Sequence, residues 1–317
     1  MRYRNLALFL VLAAVWGSAF MAIKAGLDLY GFPPVLFAAV RYDVAGVLML
    51  GYAAYVLDDP LPRTRAQVAD VAVGAVFLIA GYHTFLFVGE QNTTSAAAAV
   101  IVSLSPVLTT AIARAFLPSE RLGTVGVAGL LLGLLGVGIL SVRDPSNLLT
   151  AEVVGKLLVF TAALAFAFGS VLSRRLDSGL PIESMEAWSM LGGALLMHVL
   201  SLARGESLAP MVDAFTGPEA LGALAALGYL SLAASALGFL IYFDLLDRLG
   251  PIEINLVSYV APAFAAVTGY LFLDELITAR TALGFLVILV GFALIKRTAI
   301  RAELRSMRAR RSAAADD

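Results

Sequence analysis

Apolar residues run in ten long stretches, at about 5–24, 33–57, 69–90, 95–117, 122–142, 153–174, 183–203, 219–246, 251–273 and 279–296. Each is bounded by charge, Pro/Gly or a polar cluster, and each is close to the ~20 residues that a helix needs to cross a hydrocarbon core. The runs are continuous and lack the period-two alternation of a membrane β-barrel. The pattern predicts an all-α polytopic membrane protein with ten transmembrane helices. Arg2 and Arg4 precede the first run as they would in a secretory signal. That run has no clear small-residue cleavage site, however, and is long enough to span, so it reads as a retained first helix.

One stretch is written twice. Residues 95–122 give an apolar helix with Pro106 midway, Phe116-Leu117 at its end and Ser119-Glu120 just beyond. From Pro251 the order recurs with Pro262, Phe272-Leu273 and Asp274-Glu275. Weaker echoes join the other segments. Gly17-Ser18 returns as Gly169-Ser170, and the seven-residue step from Pro34 to Arg41 returns from Pro181 to Trp188. The fifth segment carries Gly126, Gly129, Gly133, Gly136 and Gly138 at close to small-xxx-small spacing, and the tenth keeps Gly284 and Gly291. Five is odd, so a second copy of five helices enters the membrane from the opposite side, as inverted repeats do. The expected organisation is a first five-helix repeat at 1–142, a polar linker at 143–152, a second repeat at 153–297 and a basic cytoplasmic tail at 298–317.

Composition agrees with the pattern. Hydrophobic residues make up 60% of the 317 and charged ones only 14%, well under a soluble domain's share. A net charge of −1 without a basic patch points away from nucleic acid. There are no cysteines, which removes disulfides, thiolate metal sites and Cys nucleophiles. No residue pattern calls for a cofactor or a metal. With the N-terminus inside, fifteen Lys/Arg fall in inner segments and five in outer ones. Both termini are therefore expected in the cytoplasm of a multi-pass cell-membrane protein. The basic tail suits either a solvated segment or a helix on the anionic inner leaflet.

Ionisable residues inside a span cost about 2.5–3.5 kcal/mol each on insertion scales, which makes them functional candidates. Helix rise puts Arg41 roughly 12 Å, Asp43 roughly 15 Å and His83 roughly 10 Å below the outer ends of their helices, at a level where they can meet. Asp43 is the candidate for proton coupling; the competing reading is a permanent pair that fixes the second helix. Glu90 reads as a solvated rim residue, Lys24 and Arg114 as side chains reaching the interface, and Asp244–Arg248 as a local pair. His198 reads as structural or interfacial.

Pro106 and Pro262 free the carbonyls of Val102 and Ser258, which suits kinks facing a cavity. Ser103, Ser105 or Ser258 can instead satisfy those carbonyls. Trp16, Tyr42, Tyr82, Trp188, Tyr242 and Tyr259 are aromatic groups with a polar edge inside spans. With Ser18 they form a candidate lining for an amino acid or organic cation, by stacking or cation–π contact.

These residues carry a family resemblance. W-G-S-A-F-M-A-I-K at 16–24, Pro34 followed by Arg41-Tyr42, T-S-A…P…F-L-x-x-E-R-L at 94–122 and R-L-G-P…P…F-L-D-E-L at 248–276 are similar in order and spacing to the drug/metabolite transporter superfamily. The chain resembles its EamA-type ten-helix transporters over about 6–296. The resemblance implies a secondary transporter with a central cavity between two five-helix halves, exporting small metabolites or drugs. Asp43, His83, Glu90 and Arg114 depart from the usual pattern. The expected partners are a small-molecule substrate, membrane lipids and protons as a coupling ion. A non-transporting receptor or scaffold and an intramembrane lipid-modifying enzyme are the alternatives, though no H-E-x-x-H, paired Asp-rich motif or P-loop is present.

Overall fold

The computed structural model describes residues 2–116, 124–141, 149–249, 254–295 and 297. Ser119-Glu120, Pro251, most of the 143–152 linker and the basic tail at 298–317 lie outside the described residues. All regular structure among the described residues is helical. Helices α1 (Arg2–Asp28), α2 (Pro34–Val56), α3 (Arg65–Glu90), α5 (Thr124–Ser141), α6 (Ala151–Leu176), α7 (Ile182–Ala203) and α8 (Ala220–Leu249) are each long and apolar enough to cross a membrane, as is the span that begins at Ser95. Helices α9 (Val257–Leu273) and α10 (Ala279–Ile295) are shorter and also apolar. The protein is a polytopic helical membrane protein.

Local chemistry sets several boundaries. Helix α3 starts before the apolar run because Thr64 and Gln67 form a capping box that satisfies the first free N–H groups. Thr150 caps α6 more simply, its hydroxyl accepting from Val153 N. The fourth span, α4, is broken into Ser95–Val102 and Ser105–Phe116, with Pro106 starting its second piece instead of kinking a continuous helix. A short helix without a sequence signal strong enough to mark it, Ala209–Thr216, packs Phe215 on Phe32 at 5.4 Å.

The first five helices pack against the last five. Helix α2 lies along α7, α5 along α10, α1 along α9, α4 along α6 and α9, and α3 along α6 and α7. Glycine makes the α5–α10 contact possible. A Cβ on Gly136 would stand 2.6 Å from the Gly284 carbonyl oxygen, and one on Gly284 would stand 2.6 Å from the Gly136 oxygen. Gly129 and Gly291 repeat this reciprocal approach at 2.5 Å, so two backbones touch along one seam.

Loops also reach across. The Glu206 carboxylate, after α7, accepts from the first N–H groups of α2 at Val35 (3.3 Å) and Leu36 (2.8 Å). Glu275, after α9, accepts from Ser95 N at the start of α4 with both oxygens, at 3.1 and 2.9 Å. Each anion sits on a positive helix end. Burial pushes the Glu275 carboxyl above the usual range, against the opposing pull of the Ser95 donors and of the Lys24 charge.

Candidate functional site

Two helices widen into π-helical turns, Gly74–Gly81 in α3 and Tyr229–Leu237 in α8. Such turns shift side chains and carbonyls out of the α register and are common at functional sites. Here they collect polar groups at mid-span. Arg41, only 6% exposed, donates from Nε to Ser235 Oγ in the α8 turn at 3.0 Å. Its guanidinium lies 5.0 Å from the Tyr42 ring centre. Tyr42 OH and His83 Nε2 are 2.7 Å apart, and His83 Nδ1 donates to Ile79 O in the α3 turn at 2.9 Å, which leaves Nε2 to accept from the tyrosine. Tyr82 stands edge-on to His83 at 4.5 Å.

The α8 turn also receives α1. Trp16 Nε1 donates to Ala234 O at 3.1 Å, and Ser18 Oγ and Tyr229 OH are 2.6 Å apart. Trp16 in turn packs against Tyr242 and Phe239, at 5.5 and 5.8 Å. The structure thus brings Trp16, Ser18, Arg41, Tyr42, Tyr82, His83 and Tyr242 to the two widened turns.

The other expected residues stand elsewhere. Asp43 is half-exposed and bonded to His198 Nε2 at 2.7 Å, so it joins α2 to α7 instead of meeting Arg41 or His83. Trp188 donates to Pro60 O at 2.9 Å beside Ser184, at the end of α7. Tyr259 stacks on Phe292 at 4.2 Å. The carbonyl of Val102, freed by Pro106, accepts from Ser105 Oγ at 2.7 Å, and Ser103 Oγ returns to Val100 O at 2.6 Å. Pro262 lies inside α9. Arg248 pairs with Asp244 at 2.7 Å as the spacing suggests.

Several groups were not singled out in the sequence. Ser235 and Tyr229 belong to the site through a π-helical turn that no residue type announces. Glu186 on α7 sits in electrostatic reach of Tyr42 and Tyr242. Only its place in P-I-E-S-M-E at the start of an apolar run could have drawn attention, and there it looks like a boundary residue. Glu90, expected at a solvated rim, is fully buried. Near it a cavity of about 710 Å³ is lined by Lys24, Thr93, Glu152, Lys156, Arg280 and Thr281, among others. Lys156 is itself buried, bonded to Glu152 at 2.6 Å and to Leu140 O at 2.9 Å.

A helical bundle with a polar and aromatic centre suits solute movement. The model of the EamA-like transporter family matches this chain twice, over residues 4–142 and 153–297. The chain belongs to that family. It is 30% identical to the uncharacterized inner membrane transporter YedA of Escherichia coli K12, over 85% of this chain and 84% of YedA. It is 29% identical to a probable terminal-alkyne amino-acid exporter of Streptantibioticus cattleyicolor, over 91% and 92% of the two chains. A crystal structure 24% identical to it, covering 94% of this chain and 99% of its own, shares the fold with a TM-score of 0.62. EamA-like proteins such as these are named as transporters, and this protein is a membrane transporter, not an enzyme.

Proposed function

We propose that this EamA-like protein is a secondary transporter that exports small organic solutes, amino acids foremost, by alternating access between two inverted five-helix halves. Both termini then lie in the cytoplasm. The packing scheme supports the inverted arrangement. Exchanging α1–α5 with α6–α10 in order turns each principal contact into another: α2–α7 and α5–α10 map onto themselves, α1–α9 onto α6–α4, and α3–α6 onto α8–α1. The π-helical turns fall in α3 and α8, which exchange with one another. Moving parts that swap roles are what alternating access needs.

One observation carries the substrate reading: a buried Arg41 guanidinium held at mid-span by Ser235 and the Tyr42 ring. Arginine has five N–H donors in a planar fork, and Ser235 uses one, which leaves a face suited to a carboxylate. The Tyr42, Tyr82, Trp16 and Tyr242 rings and the Glu186 carboxylate suit an ammonium and an apolar side chain. A zwitterion fits that pairing, and an amino-acid exporter stands among the relatives.

Counterflow tests the reading. Proteoliposomes loaded with one amino acid at high concentration accumulate its labelled form from a trace outside if the protein exchanges it. Screening the amino acids singly, with Arg41→Ala as the control, should give one or more solutes whose counterflow the variant loses. A receptor, a scaffold or a transporter of unrelated cargo gives none.

A further inference from the structure

Glu90 ends α3 with 0% exposure, and neither Oε1 nor Oε2 has a hydrogen-bond partner among the described residues. The Thr93 hydroxyl, three residues on, is buried and unpartnered among the described residues too. Buried polar groups are nearly always hydrogen-bonded, so three such oxygens within four residues need a reason. Lys24, which contacts Glu90, and Thr93, near it along the chain, line the 710 Å³ cavity. Lys24 Nζ bonds the backbone carbonyls of Glu90 (3.0 Å) and Gln91 (3.2 Å) and pairs with Asp28 at 2.9 Å. One ammonium therefore stands beside two carboxylates and is bonded to one.

An ionised carboxylate in such a place, without a donor at either oxygen, carries a large desolvation cost. Two arrangements remove it: a proton on Glu90, or the ammonium of Lys24 moved over from Asp28. We propose that Glu90 is a proton-binding site at this mouth of the bundle, and that Lys24 moves between Asp28 and Glu90 as the proton leaves and returns. When the carboxyl O–H bond breaks, the proton passes to water in the cavity. The carboxylate left behind accepts an N–H bond from Lys24, and Asp28, which is half-exposed, takes water in its place.

Every neighbouring element contributes to the balance. Lys24 and Asp28 on α1, Arg41 on α2, Tyr82 on its own helix and Glu275 in the α9–α10 connection are the charged and titratable groups within electrostatic reach of Glu90. Lys156 and Glu152, already paired with one another, sit on α6 where Gly155 meets Gly89. Lys24 lies on α1 above Ser18 and Trp16, and Glu90 on α3 above His83. Moving one bond between these helices alters the link between two elements that hold the mid-span site. The effect on solute movement rests on the transport reading; the proton site itself does not.

The test needs neither a substrate nor a variant. Dicyclohexylcarbodiimide enters apolar regions and modifies protonated carboxyl groups, and peptide mass spectrometry reads which residue carries the adduct. Wild-type protein in liposomes is labelled across a pH series without Na⁺ and, at one pH, with Na⁺ added. The expected result is an adduct on Glu90 that falls by up to about tenfold per pH unit once its proton leaves, unaffected by Na⁺. No adduct on Glu90 at any pH, constant labelling across the series, or protection by Na⁺ at fixed pH would each overturn the proposal. Counterflow can succeed or fail independently of all three.

Discussion

Helix α3 buries two carboxylates, one near each end, and they are held in opposite ways. Asp70 is 5% exposed and accepts short hydrogen bonds from Ser173 (2.5 Å) and Ser178 (2.6 Å), which fasten α3 to the end of α6. Glu90 is as deeply buried and accepts none among the described residues. A charge whose lone pairs are filled by fixed donors belongs to the scaffold, because losing it strands those donors. One without donors costs stability where it stands, and is retained only where another role offsets that cost. The same residue class on one helix thus gives a fastening at one end and a titrating group at the other.

The largest expected effect is at the fastened end. Replacing Ser173 and Ser178 together by Ala should destabilise the protein by about 1.5–3 kcal/mol for each charged hydrogen bond lost, read by unfolding in detergent. If stability is unchanged, Asp70 is not a fastening. Glu90→Gln should behave in the opposite way. It breaks no bond, so stability should move by no more than about 1 kcal/mol, while ΔpH-driven efflux falls to the rate seen without a gradient and solute exchange continues. A Glu90→Gln protein as destabilised as the double serine variant would erase the contrast. Asp43→Asn gives the smallest change. Its partner among the described residues is His198, on a half-exposed face, and a hydrogen bond between membrane helices averages about 0.6 kcal/mol. ΔpH-driven efflux should survive it; loss of that efflux would return the proton-coupling role to Asp43.

Much of the fold was legible because long apolar runs leave a chain little choice in a membrane. The glycine spacing of the fifth segment also pointed to a tight helix contact, though not to α10 as the helix it meets. The site was legible only in part. Arg41, Tyr42, Tyr82 and His83 announce themselves as polar groups within apolar runs, and they do come together. Which helix answers them depends on rotation about the helix axis. The π-helical turns change that rotation midway, so Ser235 and Tyr229 could not be placed from spacing. Depth estimates placed Asp43 level with Arg41, but depth says nothing about facing, and Asp43 turns to His198. Glu90 misleads for a related reason. The end of an apolar run looks like a rim, yet Lys24 and the α3–α4 connection fold over it.

Alternating access itself is tested most directly by the accessibility of one mid-span atom from both sides. Ser18 is well placed, because Ser18→Cys is nearly isosteric, its oxygen faces Tyr229 OH at 2.6 Å, and the chain has no native cysteine. Asn92→Cys and Thr64→Cys, each made alone, calibrate the two faces of oriented vesicles. An impermeant thiol reagent should reach Ser18→Cys from either side, and a solute found by counterflow should shift the balance between the two rates. Reaction from one side only, unaltered by solute, would contradict the account.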